Sequence, residues 1–121
     1  MNEYQKQIQE KCINYAVQVD KLRRDLNKQH EYNKAVQVDR CASSIGANYS
    51  EAVFAESELD YIHKLGIAQK EANETIYWLK VIYRCGYIDD QLYESLVVEA
   101  DELIRIITAT ILSLKKKQKN V

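Results

Sequence analysis

At 121 residues the chain has the length of one domain, and 46% hydrophobic with 29% charged residues is a composition that folds rather than stays disordered. Seventeen basic against eighteen acidic residues leave a formal net charge of −1, which excludes a global field that would draw in nucleic acid or an anionic membrane. There is no proline and there are only three glycines, so the strongest interruptions of a helix are missing and long helices are expected.

Cys12, Cys41 and Cys85 are odd in number, widely spaced and without a Cys-x-x-Cys pair, a usage that fits reduced thiols in a cytoplasm and neither a disulfide framework nor a zinc site. The first residues, MNEYQKQIQEK, are polar and carry no signal-peptide core. No apolar run approaches the roughly 18 residues needed to span a bilayer.

In chain order, the spacing predicts a helix over about residues 3–27, with apolar positions at Ile8, Cys12, Tyr15, Val19, Leu22 and Leu26. Steps of four and three mark one buried stripe, with a charged back behind it. The polar stretch Asn27 to Glu31 is the first break, and His30 within it is expected to be solvated. A second helix over about 31–56 carries Ala35, Val38, Ala42, Ile45, Tyr49 and Ala52. Ser57-x-x-Asp60 has the spacing of a helix start and opens a third helix over about 58–86. Its predicted core positions are Leu59 or Ile62, then Leu65, Ala68, Ala72, Ile76, Leu79 and Tyr83. Gly86 suits a left-handed stop. Asp89 is the natural N-cap of a fourth helix over about 89–117, and Ile88 with Tyr93 has staple spacing. Leu92, Leu96, Ala100, Leu103, Ile107, Ile111 and Leu114 form its stripe, and the lysine tail is expected to fray. Short connections make neighbours antiparallel. The fold expected is all-α, a single up-and-down antiparallel four-helix bundle.

The middle two helices carry a second non-solvent face. On the second helix it consists of Arg40, Ser43, Ser44, Ala47, Asn48 and Glu51, small residues with one cation and one anion. On the third it consists of Asp60, Lys64, Ile67, Glu71, Glu74, Trp78 and Ile82, with the only tryptophan set among charges. Aromatic and arginine side chains on an otherwise exposed face are what interfaces enrich, so these helices are expected to pack on other copies in a cyclic oligomer. Glu71 and Glu74, one turn apart, suit pairing with Lys64 or Arg40 at such a contact.

No constellation for catalysis emerges. A di-iron bundle needs inward carboxylates with two Glu-x-x-His motifs, and the chain offers one Asp60-x-x-His63. No glycine-rich phosphate loop, nucleophile elbow or Cys/His dyad is present, so no enzyme, cofactor or metal is expected. The basic candidates for nucleic-acid contact are Lys21, Arg24 and Lys28 on one face of the first helix, and Lys115, Lys116, Lys117 and Lys119 in the tail. Asp20 and Asp25 offset the first group, whereas a cyclic oligomer would multiply the second.

The stretch Ala42-Ser43-Ser44-Ile45-Gly46-Ala47-Asn48-Tyr49-Ser50-Glu51-Ala52 resembles the Ser-Ile-x-x-Asn-Ile-Ala-Glu segment of the four-helix bundle proteins encoded in 23S rRNA intervening sequences. The run Asp60 to Ala68, followed by Glu71-Ala72-Asn73-Glu74-Thr75 and Tyr77-Trp78-Leu79, is similar to the third helix of the same family. The resemblance implies a bacterial, cytoplasmic homopentamer of up-down bundles around a central channel, with a protein or ribonucleoprotein partner. It is related to the accessory variability determinants of diversity-generating retroelements, which bind a reverse transcriptase and RNA through a basic surface. RNA, DNA or a nucleic-acid-associated protein is therefore the implied alternative partner.

Overall fold

The computed structural model describes residues 1–119 and contains four helices in antiparallel succession: α1 Glu3–Lys28, α2 Tyr32–Val53, α3 Glu58–Arg84 and α4 Asp90–Lys119. Asn2 caps α1 by accepting from the Gln5 amide at 2.8 Å, while the Gln5 side chain accepts from the Asn2 amide at 3.0 Å. This reciprocal box satisfies two donors that a helix start leaves free.

Both turns at the far end of the bundle close in the same way. After α1, the His30 amide donates to the Asn27 carbonyl and the Glu31 amide to the Leu26 carbonyl, with His30 at φ 63°. After α3, the Gly86 amide donates to Tyr83 and the Tyr87 amide to Ile82, with Gly86 at φ 85°. Each is a Schellman closure, in which a left-handed residue ends the helix and returns two amides to its last carbonyls. The two turns are tied together by the Tyr87 hydroxyl, which donates to the Glu31 carboxylate, itself 2.9 Å from the Lys34 ammonium. Asp89 caps α4 by accepting from the Leu92 amide at 2.8 Å.

At the opposite end, Ser57 accepts from the Asp60 amide at 3.1 Å and starts α3 as its spacing predicts. α2 stops at Val53, earlier than the expected 56. The physical reason is reach. Packed helix axes lie about 8–10 Å apart, an extended residue covers about 3.3–3.6 Å, and the single residue left by the sequence reading is too short.

The six expected stripe residues of α1 and the six of α2 are all buried, joined on α2 by Cys41. α3 departs from expectation after Ala72. Its buried positions run Leu65, Ala68, Ala72, Thr75, Leu79 and Ile82, and Leu59, Ile76 and Tyr83 lie outside that stripe. Thr75 is the cause, because its hydroxyl donates to the Glu71 carbonyl at 2.8 Å and a threonine satisfied in that way can be buried. The three–four rhythm therefore continues through Thr75 to Ile82, which belongs to the core and not to the second face. On α4, Leu96, Ala100, Leu103, Ile107 and Ile111 are buried, with Leu92 exposed at the start.

The backs of α1 and α4 are not purely charged. Ile13 and Val17 on α1, and Val98 and Leu112 on α4, are exposed. The lysine tail does not fray within the described residues: α4 stays helical to Lys119, and the Lys117 ammonium lies 3.2 Å from Glu58 at the start of α3. Cations at a helix C-terminus also suit its dipole.

Gly46 and Gly66 are both helical glycines with opposite surroundings. A Cβ on Gly46 would stand 2.9 Å from the Cys12 Cβ of α1, whereas one on Gly66 would meet nothing within 4 Å. Gly46→Ala is expected to lower unfolding stability by about 1–3 kcal/mol through overpacking, and Gly66→Ala to raise it by roughly 0.5–1 kcal/mol through helix propensity. Chemical denaturation of the two variants checks both signs. His30→Gly is expected to be stabilising by the same assay, because glycine enters the left-handed region without the Cβ penalty.

Candidate functional site

The second-face residues of α2 and α3 come together along one flank, the outer rim of the seam between these helices. Arg40 of α2 lies 3.5 Å from Glu74 of α3, and Lys64 of α3 lies 3.2 Å from Glu51 of α2. Both pairs form within one chain, so these charges meet without a second copy. All four side chains are at least a third exposed or close to it, so the pairs add little stability and act mainly to fix the register of the two helices.

Between the two pairs sit Ser44 and Asn48 of α2 and Ile67 and Glu71 of α3, all half-buried, with Ala47 exposed on the rim. The Asn48 amide nitrogen donates to the Ser44 carbonyl at 2.9 Å. One Glu71 oxygen, Oε2, is shut off from solvent with no hydrogen-bond partner. Burial pushes the Glu71 carboxyl upward from its ordinary range, the neighbouring Glu74 charge adds to that, and Arg40 opposes it.

Trp78 caps this flank one turn beyond Glu74. It is half-buried, packed against the core cluster, and meets Tyr77 edge-to-face with ring centroids 5.3 Å apart at 79°. In the antiparallel register set by Arg40 and Glu74, Val36 lies level with Trp78. Val36 and Tyr77 are each 58% exposed, so this end of the two helices presents aliphatic and aromatic surface to solvent. Sequence reasoning missed both residues. The signal for Val36 was available, since it precedes Arg40 by one helical turn.

The expected basic residues form two separate groups. Lys21, Arg24 and Lys28 border one concavity on α1 together with Asp25, and the Arg24 guanidinium lies 3.2 Å from Asp20. Lys115, Lys116, Lys117 and Lys119 are exposed on the last turns of α4. The Lys11–Glu102 pair at 2.7 Å sets the antiparallel register of α1 and α4. At 1.5 Å per residue that register puts the two basic groups roughly 40 Å apart, at opposite ends of the bundle.

A second feature, which periodicity does not reveal, lies on the α1–α4 side. A slot of about 250 Å³ is lined by Lys11, Asn14, Tyr15, Gln18, Glu99, Glu102 and Leu103. Polar contacts cross it: Gln18 donates to Glu99 at 2.7 Å, and the buried Tyr15 hydroxyl donates to the Leu96 carbonyl at 2.9 Å. Desolvation holds the Tyr15 hydroxyl protonated well above the ordinary tyrosine range, as a donor in that bond must be. Both His30 and His63 are exposed. Among the described residues, no group of three or more His, Cys, Asp or Glu side chains converges as a metal site would need, and no helix is long and apolar enough to cross a membrane.

Tyr15→Phe tests the bridge across the slot. It removes the hydroxyl and leaves the Leu96 carbonyl without that donor, and is expected to cost about 1–2 kcal/mol. Thermal unfolding of the variant, with helicity checked by circular dichroism, measures it.

The family model described as 23S rRNA-intervening sequence protein matches residues 5–109. A solved structure of a protein with unknown function from the S23 ribosomal protein family, from Bacteroides thetaiotaomicron, superposes with a TM-score of 0.84 at 40% sequence identity. The match covers 86% of this chain and 97% of that one. No curated protein matches the sequence significantly.

Proposed function

Because the chain belongs to the 23S rRNA-intervening sequence protein family, we propose that it is a non-enzymatic, cytoplasmic helical-bundle scaffold. It acts as a cyclic homo-oligomer, a pentamer by the family resemblance, and offers the assembled ring to a protein or ribonucleoprotein partner. The observation that carries this reading is the α2–α3 flank. Half-buried Trp78 meets exposed Tyr77 edge-to-face, one turn beyond a compact charge cluster on a flank that also carries small residues. Buried aromatics ringed by polar groups are the usual anchors of a protein contact. Exposed Ile13 and Val17 on α1, and Val98 and Leu112 on α4, supply apolar surface for a second contact on the other side. A ring needs two different surfaces per subunit.

Mass in solution tests the reading. An oligomer is expected at micromolar concentration, and Trp78→Ala is expected to shift it toward smaller species while helicity by circular dichroism stays unchanged. A stable monomer in the parent protein, or an unaltered mass in the variant, counts against the assembly or against this face respectively.

A second reading, nucleic-acid binding by an accessory protein, is supported by the clustering of Lys21, Arg24 and Lys28 around one surface concavity and by the four exposed tail lysines. Such binding must weaken steeply with salt, since each phosphate contact releases counterions. Electrophoretic shifts with single- and double-stranded RNA and DNA across a salt series are expected to show that dependence, with Lys21→Gln/Arg24→Gln/Lys28→Gln and a tail variant separating the two groups. No shift at any salt concentration excludes this reading.

A further inference from the structure

Behind its buried stripe, α1 carries a second one: Lys6, Glu10, Ile13, Val17, Asp20 and Arg24. Its steps of four, three, four, three and four are those of a helix seam that packs on something. The fold leaves this stripe in solvent, with Lys6, Glu10, Ile13, Val17 and Arg24 all exposed. In order along the helix it reads cation, anion, two apolar residues, anion, cation.

Contacts within the fold fix how high each of these residues stands along the bundle. A Cβ on Gly46 would touch Cys12, and Gln9 bonds Ser50, which sets α1 against α2. The Arg40–Glu74 and Lys64–Glu51 pairs set α2 against α3. Carried across these registers, Ile13 and Val17 stand at the height of Ser44, Ala47 and Ile67, the small-sided and apolar middle of the α2–α3 flank. Glu10 is level with Lys64, Asp20 with Arg40 and Arg24 with Trp78, each within about one helical turn of 5.4 Å. The stripe's anions thus match the flank's cations, and its arginine matches an aromatic ring, a favourable partner for a guanidinium. Arg40 has donors enough to hold Asp20 of another copy without leaving Glu74.

We propose that α1 of one copy seats on the α2–α3 flank of the next, with the two bundles side by side at the same height. The inference rests on the self-association reading above and names which surface meets which. Rotation about an axis parallel to the bundles leaves height unchanged, so levels matched within one chain are matched between neighbours. The two surfaces differ, so the contact runs head to tail and closes only as a ring. At 3.6 residues per turn, stripe and flank face directions roughly 90–120° apart around the bundle. A head-to-tail contact with that angle closes with about four to six copies.

Cross-linking of the full-length protein tests the pairing, with the exposed Cys85 replaced by serine and the buried Cys12 and Cys41 left in place. Ile13→Cys and Ala47→Cys are expected to form a covalent dimer with each other when co-expressed and oxidised, and neither is expected to do so alone. A dimer from Ile13→Cys alone overturns the pairing. So does the absence of one from the mixture while mass in solution stays oligomeric, and self-association then still stands. Charge reversal is a second measurement. Glu10→Lys and Lys64→Glu are each expected to weaken association about tenfold, and the double variant to recover part of that loss; losses that simply add count against the contact. Val17→Asp is expected to shift mass toward single chains with helicity unchanged, because the residue is exposed within one chain. A parent protein that is monomeric at micromolar concentration sinks the self-association reading itself, and this pairing with it.

Discussion

The structure depends on the alanines interspersed among larger residues in the buried stripes of α2 and α3. Ala35, Ala42 and Ala52 on α2 and Ala68 and Ala72 on α3 are all without solvent exposure. Side chains that end at Cβ let two backbones approach, and the outer flanks of the two helices are drawn together with them. Arg40, Glu51, Lys64 and Glu74 can then bridge the seam, and Glu71 and Trp78 are pressed into half-burial between groups that separate helices would leave in water. α1 and α4 meet differently. Their buried stripes carry Tyr15, Leu22 and Leu26 on one side and Leu96, Leu103 and Ile107 on the other. Bulkier residues hold that seam wider, and a slot crossed by polar contacts takes the place of close packing. One bundle thus has a tight, charged seam and an open, polar one.

The ends of the bundle hold this arrangement in register. Two Schellman closures and the Tyr87–Glu31–Lys34 cluster fix the α1–α2 and α3–α4 turns against each other, while Ser57 and Lys117–Glu58 fix the other end. Tyr83 and Tyr93 stack across the α3–α4 turn with centroids 4.2 Å apart and planes 10° from parallel. A helix that slid by one turn would break a cap at one end and an aromatic contact at the other. Register is therefore over-determined, and the placement of the α2–α3 charge pairs follows from it.

The sequence made α1 and α2 legible residue by residue, because each stripe is apolar throughout and steps cleanly by three and four. It misled in α3, where a polar residue occupies a core position. Periodicity scores Thr75 as surface and passes to Ile76, which rotates the remaining stripe by one residue; only the hydroxyl bond to the Glu71 carbonyl shows why threonine is tolerated. The second face was visible as a pattern, but its nature was not. Spacing along one helix cannot say that Arg40 meets Glu74, since that distance depends on how closely and in what register the two helices pack. Ile13, Val17 and Val36 were overlooked because lone apolar residues among charges look like ordinary surface until their exposure and neighbours are known.

Distance sets the terms for either function. Charges in water are screened over about 8 Å at physiological ionic strength, so basic groups roughly 40 Å apart on a helical rod act as separate sites and not as one field. A single chain with a net charge of −1 offers neither group enough cations for strong phosphate binding. Copies arranged around an axis parallel to the bundles change this without altering any side chain, because symmetry brings like ends to one level and converts one short lysine cluster into a ring of them. The proposed closure would also bury the aromatic end of the α2–α3 flank. Scaffold and nucleic-acid readings therefore share one requirement, that the flank be covered by another copy.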